Sequence, residues 1–345
     1  MAFTLKKFSE LSAVCGCEDE ARSCILAEIR DKCDSVRTDV LGTLIAFKRG
    51  ISQDKKVLIG TNMDEVGLIV TDITDTGFIK FGAVGNIDAR MLVSKRVLIG
   101  KDKVKGIIGM KAVHVTTREE RETAVKLSEL YIDIGAPNKK KAKKRVEKGD
   151  YITFDTVFES VGDCIKGKAL DRFGVACLID AMDDTPAYDT YFVFSTQREL
   201  SGRGMKVAAF SIQPDMALIV DTPDAADHYR SERVNARLGG GAVIEYMDKT
   251  NIADTDLTAA VEKLAKENGI ETQNMTSSAA RTIAGAVGTA AGGAVTACIG
   301  IPCRYSHTPV CMMNKKDIMA VSALCGAFVK GINSKNENAK KTDRG

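Results

Sequence analysis

Residues 191–221 read YFVFSTQRELSGRGMKVAAFSIQPDMALIVD, which predicts two apolar strands joined by a loop and a helix. The first strand, Tyr191–Ser195, is followed by Glu199, and the second, Met216–Val220, ends on Asp221. In open α/β sheets ligands bind beyond the carboxyl ends of the strands, so these acidic residues are candidates for a site. The alternative is that acidic residues after strands serve only as helix caps.

The chain on both sides of this stretch predicts two kinds of structure. Between residues 66 and 155, short alternating runs are separated by glycines and turns, which is typical of a small β-barrel. Residues 1–65 and 156–335 alternate helical and strand patterns, which predicts one α/β domain built from both ends of the chain. We expect the barrel domain to be inserted into that α/β domain, and residues 336–345 to form a flexible tail.

Length and composition limit the classes of function. A chain of 345 residues with 44% hydrophobic residues can form one large domain or two ordinary ones. The net charge is only +3, and the chain has no Trp and few aromatic residues. A strongly basic surface and stacking aromatic rings are both missing, so we expect no nucleic-acid partner and no membrane partner.

Cysteine usage points to a reducing compartment. The chain has ten cysteines, and none of them forms a CxxC pair. The first residues contain no long apolar signal segment, and no apolar run approaches the roughly 20 residues that span a bilayer. These features predict a cytoplasmic protein with free, mostly buried thiols, and they make a zinc knuckle an unattractive interpretation.

Few residue types are available for chemistry. The chain has three histidines and no GxSxG motif, which argues against a serine hydrolase. Isolated acidic or imidazole side chains do follow apolar runs, and scattered carboxylates with one imidazole are ligands that zinc and similar divalent ions take. These candidates are Asp64, Asp171, Glu199, Asp221 and His307. A purely structural role for the histidine is the alternative.

Seven segments between Leu5 and Ile332 carry a family resemblance. They are TDVLGTLIAFKRG, NMDEVGLIVTDITDTGFIKFGAVGNID, YIDIGAPNKKKAKKRVEKGDYITFD, GKALDRFGVACLID, QRELSGRGMKVAA, PDMALIVD and IGIPCRYSHTP. Together they resemble the tetrahedral (TET) and glutamyl aminopeptidase family of dinuclear metallopeptidases, some of which are labelled endoglucanase M.

The resemblance implies a fold, an assembly and an activity. It implies a zinc-peptidase-like α/β domain, with a mixed sheet flanked by helices, and an inserted β-barrel domain. It also implies tetrahedral homo-dodecamers that hydrolyse N-terminal residues from peptides inside a cavity, using zinc or cobalt.

The resemblance also implies a role for each candidate residue. Asp171 matches the aspartate that bridges two metal ions, and Asp221 matches a further ligand of the first ion. Glu199 and His307 match the ligands of the second ion. Asp64 matches the aspartate that orients the histidine ligand of the first ion.

Two positions depart from the family pattern in ways that affect chemistry. The histidine ligand of the first ion falls on Asn62, and the glutamate that serves as general base falls on Arg198. Two smaller departures are the Asp-x-Arg segment, whose arginine is out of register at Arg172, and a Gly-Thr-Asp-Ala segment that reads Gly-Thr-Ala-Ala at 288–291.

The substitution at residue 198 predicts both a missing base and a missing ion. A guanidinium has donors only and cannot accept a proton from water. The carboxylates of Asp171, Glu199 and Asp221 and the guanidinium of Arg198 together carry a charge of −2. This charge balances one divalent ion and not two. A cation about 4 Å from a metal ion also costs several kcal/mol. We therefore expect one ion or none.

The two metal ions are expected to lose binding affinity to different extents. Asn62 offers a neutral amide where zinc prefers imidazole, so the ion shared with Asp221 should be weak or absent. The ion near Glu199 either survives or is replaced by the Arg198 guanidinium, acting as counter-ion to Asp171 and Glu199.

Function remains open between classes at this point. One hypothesis is an aminopeptidase with impaired activity, and a second is a catalytically degenerate paralogue that acts as a structural, regulatory or peptide-binding subunit. A third is an ordinary enzyme that recruits another base. A polysaccharide hydrolase follows only from the endoglucanase label, since it needs two acids flanking a sugar bond and the pattern here is metal-like.

Overall fold

The computed structural model describes residues 2–229, 236–277 and 282–332. The tail predicted at 336–345 lies outside the described residues. The helices in this part of the chain are α1 Ala2–Glu10, α2 Asp19–Ile29, α3 Arg118–Glu122, α4 Lys139–Ala142, α5 Phe173–Ala181, α6 Arg203–Ile212, α7 Thr255–Glu267, α8 Ala284–Gly288 and α9 Lys315–Gly331.

The strands form a mixed sheet, a smaller sheet and a barrel. They are β1 Ser35–Thr38, β2 Leu44–Lys48, β3 Ser52–Asn62, β4 Gly67–Ile73, β5 Ile79–Val84, β6 Arg96–Ile99, β7 Val104–Gly109, β8 Tyr131–Asp133, β9 Tyr151–Phe154, β10 Glu159–Val161, β11 Cys164–Gly167, β12 Tyr188–Ser195, β13 Met216–Asp221, β14 Ala242–Met247, β15 Thr272–Thr276, β16 Val295–Gly300, β17 Cys303–Arg304 and β18 Cys311–Asn314.

The central sheet has eight strands in the order β1-β2-β12-β3-β13-β16-β14-β15. The two strands of the quoted stretch, β12 and β13, do not pair with each other, because both run parallel to β3, which lies between them. Their carboxyl ends therefore meet at one edge of the sheet. In β13 all six residues are buried, as expected for a central parallel strand covered on both faces.

Helices cover both faces of this sheet. Helix α5, FGVACLIDA, is apolar around its whole circumference, and eight of its nine residues are buried. Such a helix needs cover on all sides, and it packs against α9 and β3. Helix α6 buries Met205 and Ala208 in a separate core on the opposite face.

Strands β4–β9 form a closed barrel in the order β4-β5-β8-β7-β6-β9, with its own apolar core. Every pair in this barrel is antiparallel. The predicted fold class, a mixed α/β sheet flanked by helices together with a small β-barrel, is confirmed. The division of the chain into domains at residues 65/66 and 155/156 stays a prediction.

A second sheet brings the carboxyl-terminal part of the chain to the site. Its four strands follow the order β10-β11-β18-β17, and the loop between β17 and β18 carries His307. All ten cysteines lie in the described ranges and are free thiols, six of them buried. Within those ranges we find no helix with the length and apolar character needed to cross a bilayer.

Candidate active site

The carboxyl ends of β3, β12 and β13 bring the predicted site residues together. Asn62 is the last residue of β3 and lies beside Ser195, the last residue of β12. A 3-10 turn at Arg198–Leu200 follows β12, and Asp221 ends β13. Asp171 lies in a second 3-10 turn after β11, at Leu170–Arg172.

Left-handed backbone conformations accompany these residues. Ala169, two residues before Asp171, has φ +50°, and Gln197, just before Arg198, has φ +56°. His307 itself has φ +54°. Non-glycine residues rarely adopt this region, and where several do so together they cluster at functional sites that the surrounding structure holds in place.

The guanidinium of Arg198 lies among the predicted metal ligands. Its Nη1 donates to Glu199 Oε1 at 2.6 Å and lies 2.9 Å from His307 Nε2. Its Nη2 donates to Asp221 Oδ1 at 3.0 Å. The Arg198 side chain is only 10% exposed. Charge-assisted hydrogen bonds of this kind are among the stronger ones in proteins, so the guanidinium is firmly held.

The sequence offered Arg198 as a counter-ion to Asp171 and Glu199, as an alternative to a surviving metal ion. In the structure its guanidinium forms ion pairs with Glu199 and Asp221. No hydrogen bond to Asp171 is found within the described ranges, although its carboxylate still interacts electrostatically with the guanidinium. The reason is the position of the carboxylates: Asp221 Oδ1 lies within reach of Nη2, and Asp171 does not.

The amide of Asn62 does not replace the missing imidazole. Its Nδ2 donates to the backbone carbonyl of Asp64 at 3.2 Å, and its buried Oδ1 has no hydrogen-bond partner. The Asp64 carboxyl accepts the backbone N–H of Glu199 on Oδ2 at 3.1 Å, while its Oδ1 also lacks a partner. The side chains of Asp64 and Asn62 therefore make no hydrogen bond to each other. The predicted role of Asp64 in orienting residue 62 is not supported by a side-chain contact.

Burial and neighbouring charge set the protonation of these groups. Burial, followed by the charge of Glu199, raises the pKa of Asp64 to about 8. The same two causes raise the pKa of Asp171 to about 6. Burial would also raise the pKa of Glu199, but His307 and Arg198 hold it at about 2. Glu199 is therefore a firmly ionised partner for the guanidinium.

At least three cavities border this cluster, and two of them reach Arg198. One of about 20 Å³ is lined by Asp171, Arg198 and His307 among others. A larger one of about 930 Å³ is lined by Arg198 and Glu199 at one end and by Lys206 on α6. The larger cavity has room for a short peptide next to the guanidinium.

Comparison with known proteins shows which family has this arrangement of fold and residues. A family model described as M42 glutamyl aminopeptidase matches residues 42–324. The chain belongs to the M42 glutamyl aminopeptidase family. A putative aminopeptidase of Acetivibrio thermocellus is 37% identical over 331 residues, covering 93% of this chain and 97% of that relative.

Solved structures of similar peptidases agree with this assignment. A TET aminopeptidase from Thaumarchaeota archaeon SCGC AB-539-E09 superimposes with a TM-score of 0.93 at 26% identity, covering 96% of this chain and 98% of that one. The TET1 peptidase of Pyrococcus horikoshii, described as assembling into a tetrahedron or a large octahedral shell, gives a TM-score of 0.86 at 29% identity, covering 96% and 99%. The resemblance stated from the sequence is confirmed.

M42 peptidases are metal-dependent, and the side chains of this M42 chain do not fit a two-ion centre. Arg198 makes hydrogen bonds to Glu199 and Asp221 and a close contact to His307, the side chains that would otherwise face the ions. Among the residues that the structure describes, the one group of three ligand-type side chains with ligand atoms all within 4.8 Å of one another lies elsewhere. That group is Cys15, Glu18 and Asp64.

A buried charge network at the junction of sheet and barrel was not predicted from the sequence. Glu65 Oε1 accepts hydrogen bonds from Lys168 Nζ at 3.1 Å and from Thr153 on β9 at 3.0 Å, and lies 3.4 Å from Arg172 Nη2. Arg172 Nε donates to the Met63 carbonyl at 2.8 Å. The out-of-register arginine is therefore a fully buried structural residue. No periodicity in the sequence marks this network.

A buried carboxyl on β14 was also missed. Glu245 is 4% exposed, and its Oε1 has no hydrogen-bond partner. Burial, followed by the charges of Asp221 and Asp248, raises its pKa from the ordinary 4.5 to about 8. The carboxyl is therefore mostly protonated at neutral pH.

We expect Glu245→Gln to change stability in a pH-dependent way. The unfolded carboxyl ionises near 4.5 and the folded one near 8, so the folded protein holds an extra proton between these values. The stability that Glu245 contributes is complete below pH 4.5 and is lost as the pH rises to about 8, whereas glutamine loses nothing. In thermal melts, the gain in midpoint of the variant should grow up to about pH 8 and then stay constant. A gain independent of pH would contradict this assignment.

Proposed function

We propose that this M42 chain hydrolyses N-terminal residues from peptides slowly, because Arg198 stands where the family has its general base. The observation that supports this is the set of hydrogen bonds from its guanidinium to Glu199 and Asp221, and its contact with His307. Burial works against its charge, yet Asp221 and Glu199 raise the pKa of Arg198 well above its usual value. A permanent cation cannot take a proton from the attacking water.

The missing base accounts for part of the proposed loss in rate. General-base catalysis contributes about 10²–10⁴ to the rate of such reactions. The second part is the loss of the ions that would activate the water. We propose zinc or cobalt as the cofactor, with one ion or none per chain at Asp171, Glu199, Asp221 and His307, and only a weak or lost ligand at Asn62.

A second proposed function is a catalytically degenerate subunit that keeps the fold and binds peptides or has a structural or regulatory role. The cavity of about 930 Å³ beside Arg198 supports it, because the space for a peptide remains while the catalytic groups are replaced. We propose a homo-oligomer, a tetrahedral dodecamer by analogy with the Pyrococcus horikoshii relative. We also propose cytoplasmic localisation.

The test of the metal proposal is the ion content of the dialysed full-length protein. We expect elemental analysis to find at most one zinc, cobalt or manganese ion per chain that is lost when Asp171 and His307 are both replaced by alanine, because the inherited ligands and Arg198 together carry a charge of only −2. Two tightly held ions per chain at these ligands would overturn the charge argument.

A companion assay tests the activity itself. We expect release of nitroaniline from aminoacyl-nitroanilides to be slow even with added cobalt or zinc, because no base replaces Arg198. Rapid turnover by the wild-type chain would instead favour an ordinary enzyme that recruits another base.

A further inference from the structure

Three ligand-type side chains meet at the beginning of α2, behind the backbone turn that carries Arg198; Glu18 and Asp64 accept the backbone N–H groups of Gln197 and Glu199. Cys15 lies in the turn between α1 and α2, Glu18 immediately precedes α2, and Asp64 follows β3. Each offers one ligand atom, and these atoms all lie within 4.8 Å of one another. The three residues are 1%, 4% and 0% exposed, respectively. Buried acidic side chains in mutual contact require a compensating charge or a proton.

Asp64 provides a separate observation that points to a ligand. Its Oδ2 accepts the Glu199 N–H, but its fully buried Oδ1 has no hydrogen-bond partner. Asn62 uses its amide nitrogen on the backbone carbonyl of Asp64 and not on the carboxyl, which leaves the Cys15 thiol as the side-chain neighbour of that carboxyl. Buried polar atoms without partners are rare in native proteins, and a bound ion is one of the recognised reasons for them.

The charges around the three side chains favour a cation. Glu18 Oε1 accepts the backbone N–H groups of Gly16 at 2.8 Å and Gln197 at 3.1 Å. Within residues 2–229, 236–277 and 282–332, no lysine, arginine or histidine hydrogen-bonds to any of the three side chains. The nearby Arg22 interacts with Glu18 at longer range, and its guanidinium instead contacts Asp19.

We propose that Cys15, Glu18 and Asp64 bind a borderline divalent cation, zinc or cobalt, at a site separate from the inherited ligands around Arg198. One thiolate and two carboxylates are a donor set that these ions accept. Zinc–sulfur and zinc–oxygen bonds of about 2.3 and 2.0 Å place ligand atoms about 3.5 Å apart. Ligand atoms that lie within 4.8 Å of one another exceed that spacing by at most about 1.3 Å.

Binding has a simple chemical balance. The Cys15 thiol forms a bond from sulfur to the metal and releases its proton to solvent, with no change of oxidation state. Asp64 and Glu18 contribute oxygen bonds, and protein ligands leave a fourth position of the ion for water. The inference does not rest on impaired hydrolysis. Asp64 is shared with the inherited site, but Cys15 and Glu18 are not, and the readout is a thiolate band instead of turnover.

The experiment is a titration of the dialysed full-length protein with cobalt(II) alone. We expect one equivalent to produce a thiolate-to-cobalt charge-transfer band in the near ultraviolet. Cys15→Ser should abolish this band, and Glu18→Gln should weaken cobalt binding by at least about tenfold. Cys298→Ser is the matched control, because Cys298 is also buried and lies 3.8 Å from the carboxylate of Glu245; its band should be unchanged.

Folding of each variant is checked by circular dichroism and by its thermal midpoint, and Cys15→Ala serves as a second removal of the thiol. Absence of the band in the wild-type protein would overturn the proposal, as would a band that persists in a folded Cys15 variant. Cobalt bound without any thiolate band would place the ion elsewhere and would also overturn it. Activity toward peptides does not enter any of these outcomes, so failure here is distinguishable from failure of the proposed function.

Discussion

The double variant Arg198→Glu, Asn62→His is expected to hydrolyse aminoacyl-nitroanilides at least about 10²-fold faster than the wild-type chain when zinc or cobalt is supplied. The change at residue 198 removes the guanidinium that bonds to Glu199 and Asp221 and supplies a carboxylate that accepts a proton. The change at residue 62 supplies the imidazole that zinc prefers over a neutral amide. The inherited carboxylates and the new one then balance the charge of two divalent ions.

The control separates this restoration from a general change in charge. Arg118 on α3 and Asn268 after α7 are both exposed, and neither lines the cavities at Arg198. Arg118→Glu, Asn268→His therefore introduces the same residue types away from the site. That variant should retain the wild-type rate. Arg198→Gln removes the guanidinium without supplying a base, and we expect it to recover metal binding more than turnover. A wild-type chain already as fast as the restored variant would refute the proposal of impaired hydrolysis.

Much of this site could be predicted from sequence because it lies at strand ends. Apolar runs followed by a polar residue located Glu199, Asp221 and Asp64, and parallel strands bring such ends together without further information. The identities of Asn62 and Arg198 then indicated altered chemistry. The guanidinium of Arg198 bonds to Asp221 and not to Asp171 because of differences of a few ångströms between side-chain atoms. A sequence pattern cannot predict distances that small.

The residues missed are those whose roles arise from tertiary contacts between distant segments. Glu65 and Lys168 are separated by 103 positions, yet their side chains share hydrogen bonds in the interior. Their neighbours in sequence show no periodicity that distinguishes a buried charge from a solvated one. Glu245 lies in β14, and its burial was not predicted from the sequence. Its raised pKa comes first from that burial and then from the charges of Asp221 and Asp248.

Glu65→Ala is expected to destabilise the protein by about 3–5 kcal/mol, because it leaves two buried cations without their common partner. Lys168 and Arg172 have side chains that are only 3% and 0% exposed. The carboxylate joins these two cations to Thr153 of the barrel and to the backbone of Ala13, so its loss affects the α/β sheet and the barrel together. Urea unfolding followed by circular dichroism measures the change in free energy.

The matched control for Glu65→Ala is the same substitution in a solvent-exposed ion pair. Glu271 pairs with Lys316, and both side chains are more than half exposed. Exposed pairs contribute about 0–1 kcal/mol, so Glu271→Ala should leave the free energy of unfolding nearly unchanged. A loss below about 1 kcal/mol for Glu65→Ala as well would mean that the two cations find water or other acceptors when the carboxylate is removed. In that case the hydrogen bonds of Glu65 would contribute little to the stability of the contact between the barrel and the sheet. Lys168 and Arg172 would then be stable in the interior without the Glu65 carboxylate.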